Sequence, residues 1–202
     1  MRLRLLSRAV TVAGAALALT AAPAAAQIEY STSGMFGGPC SGSTCTLGGF
    51  TFTYNPATSG SLPIAAPANI SFGYFQGIGS MGIGAVSFSV PFTLTVTQTG
   101  PSVGEGSFQA GLLGGTITFA SSGAFFVPVS GDMVTIGAAS YTFLHDSYAI
   151  VPPDSCIGGL CGVTSLPGHV SVAPEPGTVL LLGSGLLGLG LVGVRSRSRD
   201  AA

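Results

Sequence analysis

The chain has 202 residues, and only 6% of them are charged, against about 25% in an average domain. All six basic residues are arginines at the two ends, so the interval between Ala9 and Val194 contains no Lys or Arg. A surface without cations cannot neutralise phosphates, which supply most non-specific affinity for nucleic acids. The composition therefore predicts that nucleic acid is not a partner.

The first 26 residues have the pattern of a secretory signal peptide. Arg2, Arg4 and Arg8 form a positive n-region before an apolar stretch over residues 9–22, and Ala24 and Ala26 form a small-residue cleavage site before Gln27. An uncleaved anchor is the alternative, but the stretch is short and ends in proline and small residues. We expect cleavage after Ala26. Because no two arginines are adjacent, general secretion is favoured over the twin-arginine route.

Residues 27–173 are numerous enough for one domain with its own core. Short strand patterns follow one another, separated by Gly, Pro, Ser and Asn: GGFTFTYN, NISFGYF, AVSFSVPFTLTVTQT, SFQAGLLGGTITFA, AFFVPV, DMVTI, SYTFLH and HVSVA. Seven to nine such strands, with no convincing helical period, predict an antiparallel β-sandwich. The segment VTIGAASYTF predicts a tight hairpin around Gly137.

The strongest strand pattern begins at Val86. Apolar residues occupy every even position from Val86 to Val96, and Ser, Thr and Pro occupy the odd positions, which is typical of a half-buried strand. Pro91 lies inside this strand and cannot donate to a sheet ladder. It predicts an edge strand, or one that bends between two sheets.

Four cysteines form two pairs with the same spacing: Cys40 with Cys45, and Cys156 with Cys161. In an exported protein an even count indicates disulfides. Three connectivities are open, and the two local bonds are the simplest. A four-cysteine zinc site is the alternative, but an oxidising compartment removes free thiolates, so we expect no metal and no other cofactor.

Few residues are candidates for catalysis. His145 and Asp146 are adjacent, so in a strand they would point to opposite faces, and His169 lies in the last predicted strand. No nucleophile elbow is present, the carboxylates are scattered, and no cation is available to stabilise an oxyanion. We predict that the protein is not an enzyme.

Threonines recur at alternate positions, which places them in rows on strand faces. These rows are Thr51-x-Thr53, Thr93-x-Thr95-x-Thr97 and Thr116-x-Thr118. The rows resemble the threonine arrays of ice-binding proteins, although threonine also favours solvated strand faces in general. Carbohydrate binding is a further alternative, without tryptophan platforms. Asn69-Ile70-Ser71 has the form of a glycosylation sequon.

The C-terminal segment has three parts. The motif Pro174-Glu175-Pro176, whose two prolines resist helix formation, precedes 17 uncharged, apolar residues over 178–194. As a helix these would extend about 25 Å, at the short end of what spans a bilayer. A buried helix is the alternative, but it would gain nothing from the basic cluster that follows, whereas a span is oriented by one. That cluster is Arg195, Arg197 and Arg199.

This order of Pro-Glu-Pro motif, apolar span and arginine cluster resembles a PEP-CTERM sorting signal. The resemblance covers about thirty residues from Val172 onward and departs from the family at Gly177 and in the serines between the arginines. It implies that exosortase, a membrane-embedded cysteine transpeptidase, recognises the tail and cleaves near the motif. Such tails occur in Gram-negative bacteria, many of which make exopolysaccharide.

Together these features predict a signal peptide over 1–26, an all-β, antiparallel β-sandwich ectodomain over 27–173, and a sorting tail over 174–202 with a single transmembrane helix. The expected partners are the secretion machinery, exosortase, the membrane and the exopolysaccharide. The expected location is the cell envelope, surface or extracellular matrix, and the expected role is structural or adhesive.

Overall fold

A computed structural model describes residues 27–59, 63–157, 160–173 and 183–186 of the protein. Most of these residues lie in β-strands. The strands are β1 (Gln27–Phe36), β2 (Thr44–Leu47), β3 (Phe50–Asn55), β4 (Ile64–Ala65), β5 (Ala68–Ile78), β6 (Val86–Gly100), β7 (Gly104–Ser107), β8 (Gly111–Ile117), β9 (Phe125–Val127), β10 (Met133–Ile136), β11 (Ala139–Phe143), β12 (Tyr148–Ala149), β13 (Cys156–Ile157), β14 (Leu160–Cys161) and β15 (Val163–Val172).

The strands form two curled antiparallel sheets and a small hairpin. The seven-stranded sheet has the order β12-β9-β8-β6-β1-β4, with β7 also paired to β6. The six-stranded sheet has the order β10-β11-β15-β5-β3-β2, and β13 pairs only with β14. The prediction of an all-β, antiparallel body is confirmed. The hairpin around Gly137 is also confirmed, because Ile136 pairs with Ala139 and Gly137 has a φ of 61°.

Strand β6 confirms the predicted alternation but not the predicted position. Val90, Phe92, Leu94 and Val96 are buried, yet β6 lies inside its sheet, between β8 and β1. Pro91 is tolerated because pairing with β1 ends at Phe92. The Pro91 carbonyl faces that side and accepts a hydrogen bond from the Gly37 amide, so the absent N–H of Pro91 interrupts no ladder bond.

The two sheets pack against each other through an aromatic core. Phe36, Phe92 and Phe126 come from the seven-stranded sheet, and Tyr54 and Phe75 come from the six-stranded sheet. The centroid distance from Phe75 to Phe92 is 4.8 Å, and that from Phe75 to Phe126 is 5.3 Å, both in edge-to-face geometry. Such pairs contribute beyond the area that they bury, so these rings fix how the sheets face each other.

Four of the five tyrosines hydrogen-bond from one sheet to the other. The Tyr30 hydroxyl donates to the Ser71 carbonyl oxygen, and the Tyr148 hydroxyl donates to that of Pro167. The Tyr54 hydroxyl donates to Thr32 Oγ1 and the Tyr141 hydroxyl to Gln98 Oε1, and all four distances are 2.7–2.8 Å. Within the described residues, no buried side-chain nitrogen or oxygen atom is left without a partner. The polar groups in this core therefore join the sheets without the cost of an unsatisfied group.

Both boundaries of the described domain lie at one end of the two-sheet body. Strand β1 starts at Gln27, and the Ala173 amide bonds to Ala138 O in the β10–β11 turn. A Cβ on Gly137 in that turn would touch Ser102, which follows the end of β6, and Gly100 of β6 pairs with Glu29. We call this the proximal end.

The opposite end, which we call the distal end, holds the two cysteine loops. Cys40 lies four residues after the end of β1, and Cys161 lies two residues before the start of β15. The glycine-rich loop between β5 and β6 lies there too, since a Cβ on Gly49 would contact the Ile83 side chain. The two disulfides therefore lie at the ends of the strands opposite to Gln27 and Ala173.

In the tail, the structure describes one helical turn, residues 183–186. Across the described ranges, no helix has the length and hydropathy needed to cross a bilayer. The remainder of the predicted span over 178–194 lies outside the described residues.

Candidate functional site

All four cysteines are in local disulfides, Cys40–Cys45 and Cys156–Cys161. This confirms the simplest of the three connectivities, and the bonds consume the thiolates that a zinc site would need. Disulfides of this kind are typical of proteins that fold in an oxidising compartment outside the cytoplasm. The second bond joins residues that pair directly across the β13–β14 hairpin, so it closes the hairpin onto itself.

We expect the double variant Cys156→Ala/Cys161→Ala to fold with a modest loss of stability. A cross-link across a sequence separation of 5 removes little unfolded-state entropy, about 2 kcal/mol in the chain-entropy model. Urea unfolding of this variant and of the wild type measures the loss. A protein that no longer folds would show that the hairpin disulfide organises the core.

His145 and Asp146 line a cleft of about 310 Å³ together with Asp132. The His145 ring packs against Tyr148 with centroids 5.6 Å apart, and the Asp132 carboxylate accepts a hydrogen bond from the backbone N–H of Gln109. Among the described residues, no hydrogen bond joins His145 to either carboxylate, and no group of three His, Cys, Asp or Glu side chains could hold a metal ion. The cleft thus brings three titratable groups close without arranging them as an acid–base pair.

His169 does not line that cleft, although it pairs across the sheet with Thr142, which does. Its Nδ1 is 3.1 Å from Asn69 Oδ1, and both residues belong to the outer face of the six-stranded sheet. The two histidines therefore have different partners, Tyr148 for His145 and Asn69 for His169.

Two of the predicted threonine rows lie on outer sheet faces. Thr51 and Thr53 stand opposite Thr46 and Thr44, which gives a square of four threonines, and the hydroxyls of Thr46 and Thr51 are 2.9 Å apart. The row over residues 93–97 of β6 alternates with the buried positions and faces outward.

The third row is shorter than predicted. Thr116 is on β8 and its hydroxyl pairs with Ser87, 2.8 Å away. Thr118 lies beyond the strand, where its hydroxyl accepts from the Ser121 amide and closes a turn. The β8 row ends there because the chain reverses direction.

Among the described residues, the outer face of the six strands carries hydroxyl, amide and imidazole groups, exposed apolar side chains such as Ile78 and Met133, and no carboxylate or cation. The polar residues on this face are Thr44, Thr46, Thr51, Thr53, Asn55, Asn69, Ser71, Tyr74, Gln76, Thr135, Ser140, Thr142, Ser165, His169 and Ser171. Such groups hydrogen-bond to uncharged hydroxylated surfaces or to water. This face offers no charge with which to select an ionic ligand.

A second cleft opens at this face. It has a volume of about 530 Å³, and Ser71 and Ser165 line it with Thr58 and Ser59 from the segment between β3 and β4. Its polar lining consists of hydroxyls and the Asn69 amide, and its apolar lining includes Pro167 and Ile64. The volume is in the range of small-molecule sites.

Sequence reasoning missed this cleft and the outward position of Tyr74. The signal was a break in the alternation of β5: Phe72 and Phe75 are both buried although three positions apart. Gly73, with a φ of 108°, absorbs the extra residue as a bulge, and the strand resumes with Tyr74 outside. The glycine between two aromatic residues could have indicated this bulge.

The predicted export and sorting residues flank the described domain. Gln27 is the first residue of β1, directly after the predicted cleavage site at Ala24 and Ala26. Those alanines, the Pro174-Glu175-Pro176 motif and the arginines at 195, 197 and 199 lie outside the described residues. The fold defines a class, an all-β protein of two antiparallel sheets with local disulfides. No family model, curated protein or solved structure matches the chain.

Tyr54 gives a pH-dependent prediction for the bonds between the sheets. Burial raises the pKa of this hydroxyl to about 12, only partly offset by its bond to Thr32. A raised folded-state pKa means that the stability contribution is complete below the unfolded value of 10 and is lost as the pH rises to about 12. A pKa shift of that size corresponds to a stability contribution of about 2 to 3 kcal/mol.

The variant Tyr54→Phe should therefore lose less stability than the wild type between pH 10 and about 12. At neutral pH it should be about 1 to 2 kcal/mol less stable, because Thr32 Oγ1 loses a buried partner. Urea unfolding across this pH range measures both effects. Tyr74→Phe is the control, and parallel pH curves for Tyr54→Phe and the wild type would contradict the prediction.

Proposed function

We propose that the protein is an exported bacterial envelope protein that is sorted by a PEP-CTERM-like tail. Its β-sandwich ectodomain serves as a non-catalytic structural or adhesive component of the cell surface or exopolysaccharide matrix. The observation that carries this proposal is the position of both domain boundaries at the same end of the domain. Both of its boundaries, Gln27 and Ala173, lie at the proximal end, so a membrane segment after Ala173 would present the distal end outward.

The disulfides and the uncharged outer face support the same proposal. The two cross-linked loops lie at the distal end, where a matrix component would be most exposed to proteolysis, and short cross-links restrict local unfolding of loops. The outer face of the six-stranded sheet holds hydrogen-bonding groups without charge, which suits contact with hydrated polymers. None of these features requires catalysis.

The tail supports sorting by its chemistry. Proline disfavours helix and restricts the residue before it to extended conformations, which suits recognition of the Pro174-Glu175-Pro176 motif by a processing enzyme. The arginine cluster after the apolar segment favours a cytoplasmic C-terminus. Exosortase and the secretion machinery are the proposed partners of this segment, and the membrane is its transient location.

The test is intact mass and fractionation of the protein from its native host. Sorting predicts a product that starts at Gln27 and ends near Pro176, recovered from the envelope or matrix. Glu175→Gln and deletion of residues 195–199 should leave a full-length C-terminus in the inner membrane. Glu105→Gln, a carboxylate change on the ectodomain, is the matched control. Unchanged processing and location in both tail variants would overturn the proposal.

A ligand-binding surface module is the second candidate. The square of Thr44, Thr46, Thr51 and Thr53 favours this candidate, because its hydroxyls repeat both along each strand and across the two strands. For ice as the ligand, the wild type should inhibit ice recrystallisation and Thr53→Val should not. Equal behaviour of the two proteins would exclude this face as an ice-binding surface, and a carbohydrate would remain as the ligand class.

A further inference from the structure

Tyr74 differs from the other four tyrosines of the chain. They are buried and donate their hydroxyls to the opposite sheet, whereas Tyr74 is partly exposed on the outer face of β5. In the part of the chain that the structure describes, its hydroxyl has no hydrogen-bond partner. A tyrosine placed in this way offers an apolar ring and a free polar group to a ligand.

The neighbours of Tyr74 are short, uncharged and able to donate and accept. Asn55 on β3 and Ser165 on β15 pair directly with it across the sheet. In the adjacent row, Thr53 pairs with Gln76. Amide side chains both donate and accept hydrogen bonds, so the ring is surrounded by groups that match the alternating donors and acceptors of sugar hydroxyls.

The 530 Å³ cleft continues this surface. Ser165 lines the cleft and also pairs with Tyr74, so the two features share a residue. Beyond Ser165, the cleft adds Ser71 and Asn69 from β5, and Thr58 and Ser59 from the segment before β4. A strip of hydroxyl and amide groups therefore extends from Tyr74 into a concave site.

The lack of charged side chains on this face indicates the class of ligand. The described residues contain no Lys or Arg, and the five acidic residues among them lie outside the strands of the six-stranded sheet. An anionic polymer would find no cation here, and a cationic ligand would find no carboxylate. A neutral ligand that packs against an aromatic ring and forms matched hydrogen bonds needs neither a cation nor a carboxylate.

We propose that Tyr74, Asn55, Ser165 and the adjoining cleft form a binding site for a neutral polysaccharide chain. One sugar ring stacks on Tyr74, its hydroxyls bond to Asn55 and Ser165, and the next unit enters the cleft at Ser71 and Asn69. This inference rests on the proposed role in the exopolysaccharide matrix, and it names the part of the ectodomain that contacts the polymer.

The test uses full-length protein and three immobilised probes: the exopolysaccharide of the native host, dextran as a neutral polymer and alginate as an anionic one. We expect binding to a neutral probe that does not weaken as the salt concentration rises. Tyr74→Ala should weaken it roughly tenfold, and Tyr74→Phe should restore most of the affinity because the ring is kept. Asn55→Ala should weaken it in the same direction.

Phe125→Ala is the matched control, since Phe125 is an exposed aromatic residue on the other sheet and its loss should leave binding unchanged. The unfolding midpoint of each variant shows whether it is folded. Binding only to alginate, binding unaffected by Tyr74→Ala and Asn55→Ala, or no binding to any probe would overturn the inference. The sorting test on Glu175 has a separate readout, so it can succeed or fail independently.

Discussion

Replacing Phe126 with alanine should lower the free energy of unfolding by about 3 to 5 kcal/mol, the range for truncating a buried aromatic side chain and leaving a cavity. Replacing its neighbour Phe125 should change it by less than about 0.5 kcal/mol, as for other surface substitutions. The two residues are consecutive in β9 and point to opposite faces of the sheet. Phe126 is 1% exposed and Phe125 is 45% exposed.

The size of the effect follows from where Phe126 lies. Its ring contacts Phe75, Phe92, Phe143 and Tyr148 at centroid distances of 5.3 to 6.2 Å. These rings come from both sheets, and neighbouring aromatic residues are too rigid to close the cavity. Truncation therefore removes contacts between the sheets as well as apolar burial.

Equilibrium urea unfolding, followed by circular dichroism, measures both variants against the wild type. Phe126→Leu should recover much of the loss, since it refills part of the cavity. Similar losses for Phe126→Ala and Phe125→Ala would contradict the two-sheet packing, because they would place both side chains in equivalent surroundings.

Gly162→Ala should lower the free energy of unfolding by about 3 kcal/mol or more. Gly162 has a φ of 63°, in the left-handed region that costs a non-glycine residue about 1 to 2 kcal/mol. A Cβ at this position would also lie well inside contact distance of the Gly77 carbonyl oxygen. The backbone cannot yield easily, because the Gly77 amide donates to Gly162 O at 2.8 Å.

Gly131→Ala is the matched control for Gly162→Ala. Gly131 has a similar φ, 73°, but a Cβ there would meet no atom within 4 Å. It should therefore show the cost of the backbone conformation alone, about 1 to 2 kcal/mol. Thermal or urea unfolding of both variants measures the difference. Equal losses would mean that the close approach of Gly162 to Gly77 contributes nothing to stability.

Local patterns in the sequence were sufficient for several elements. The alternation over residues 86–96 predicted the buried face of β6, because side chains on a strand point to opposite sides in turn. Gly137 marked the β10–β11 turn, since a tight hairpin needs a residue that accepts a positive φ. The spacing of the cysteines, together with an exported context, favoured the two local disulfides that the structure contains.

The outward position of Tyr74 was beyond such patterns. Its strand changes phase at Gly73, and the direction of a bulge depends on the partner strands, here β3 and β15. The interior position of β6 was missed for a related reason. A proline excludes a ladder bond on one side only, and the sequence does not say whether a neighbouring strand has already ended there.

The sequence by itself determined the lack of charge in the body, the strand periodicity and the tripartite tail, all of which depend on neighbouring residues along the chain. Only the tertiary structure decided which sheet each strand joins, that four tyrosines bridge the two sheets, and that Tyr74 and the cleft at Ser165 share one face. Those relations join residues far apart in the chain. They are set by the packing of whole sheets, which local periodicity does not encode.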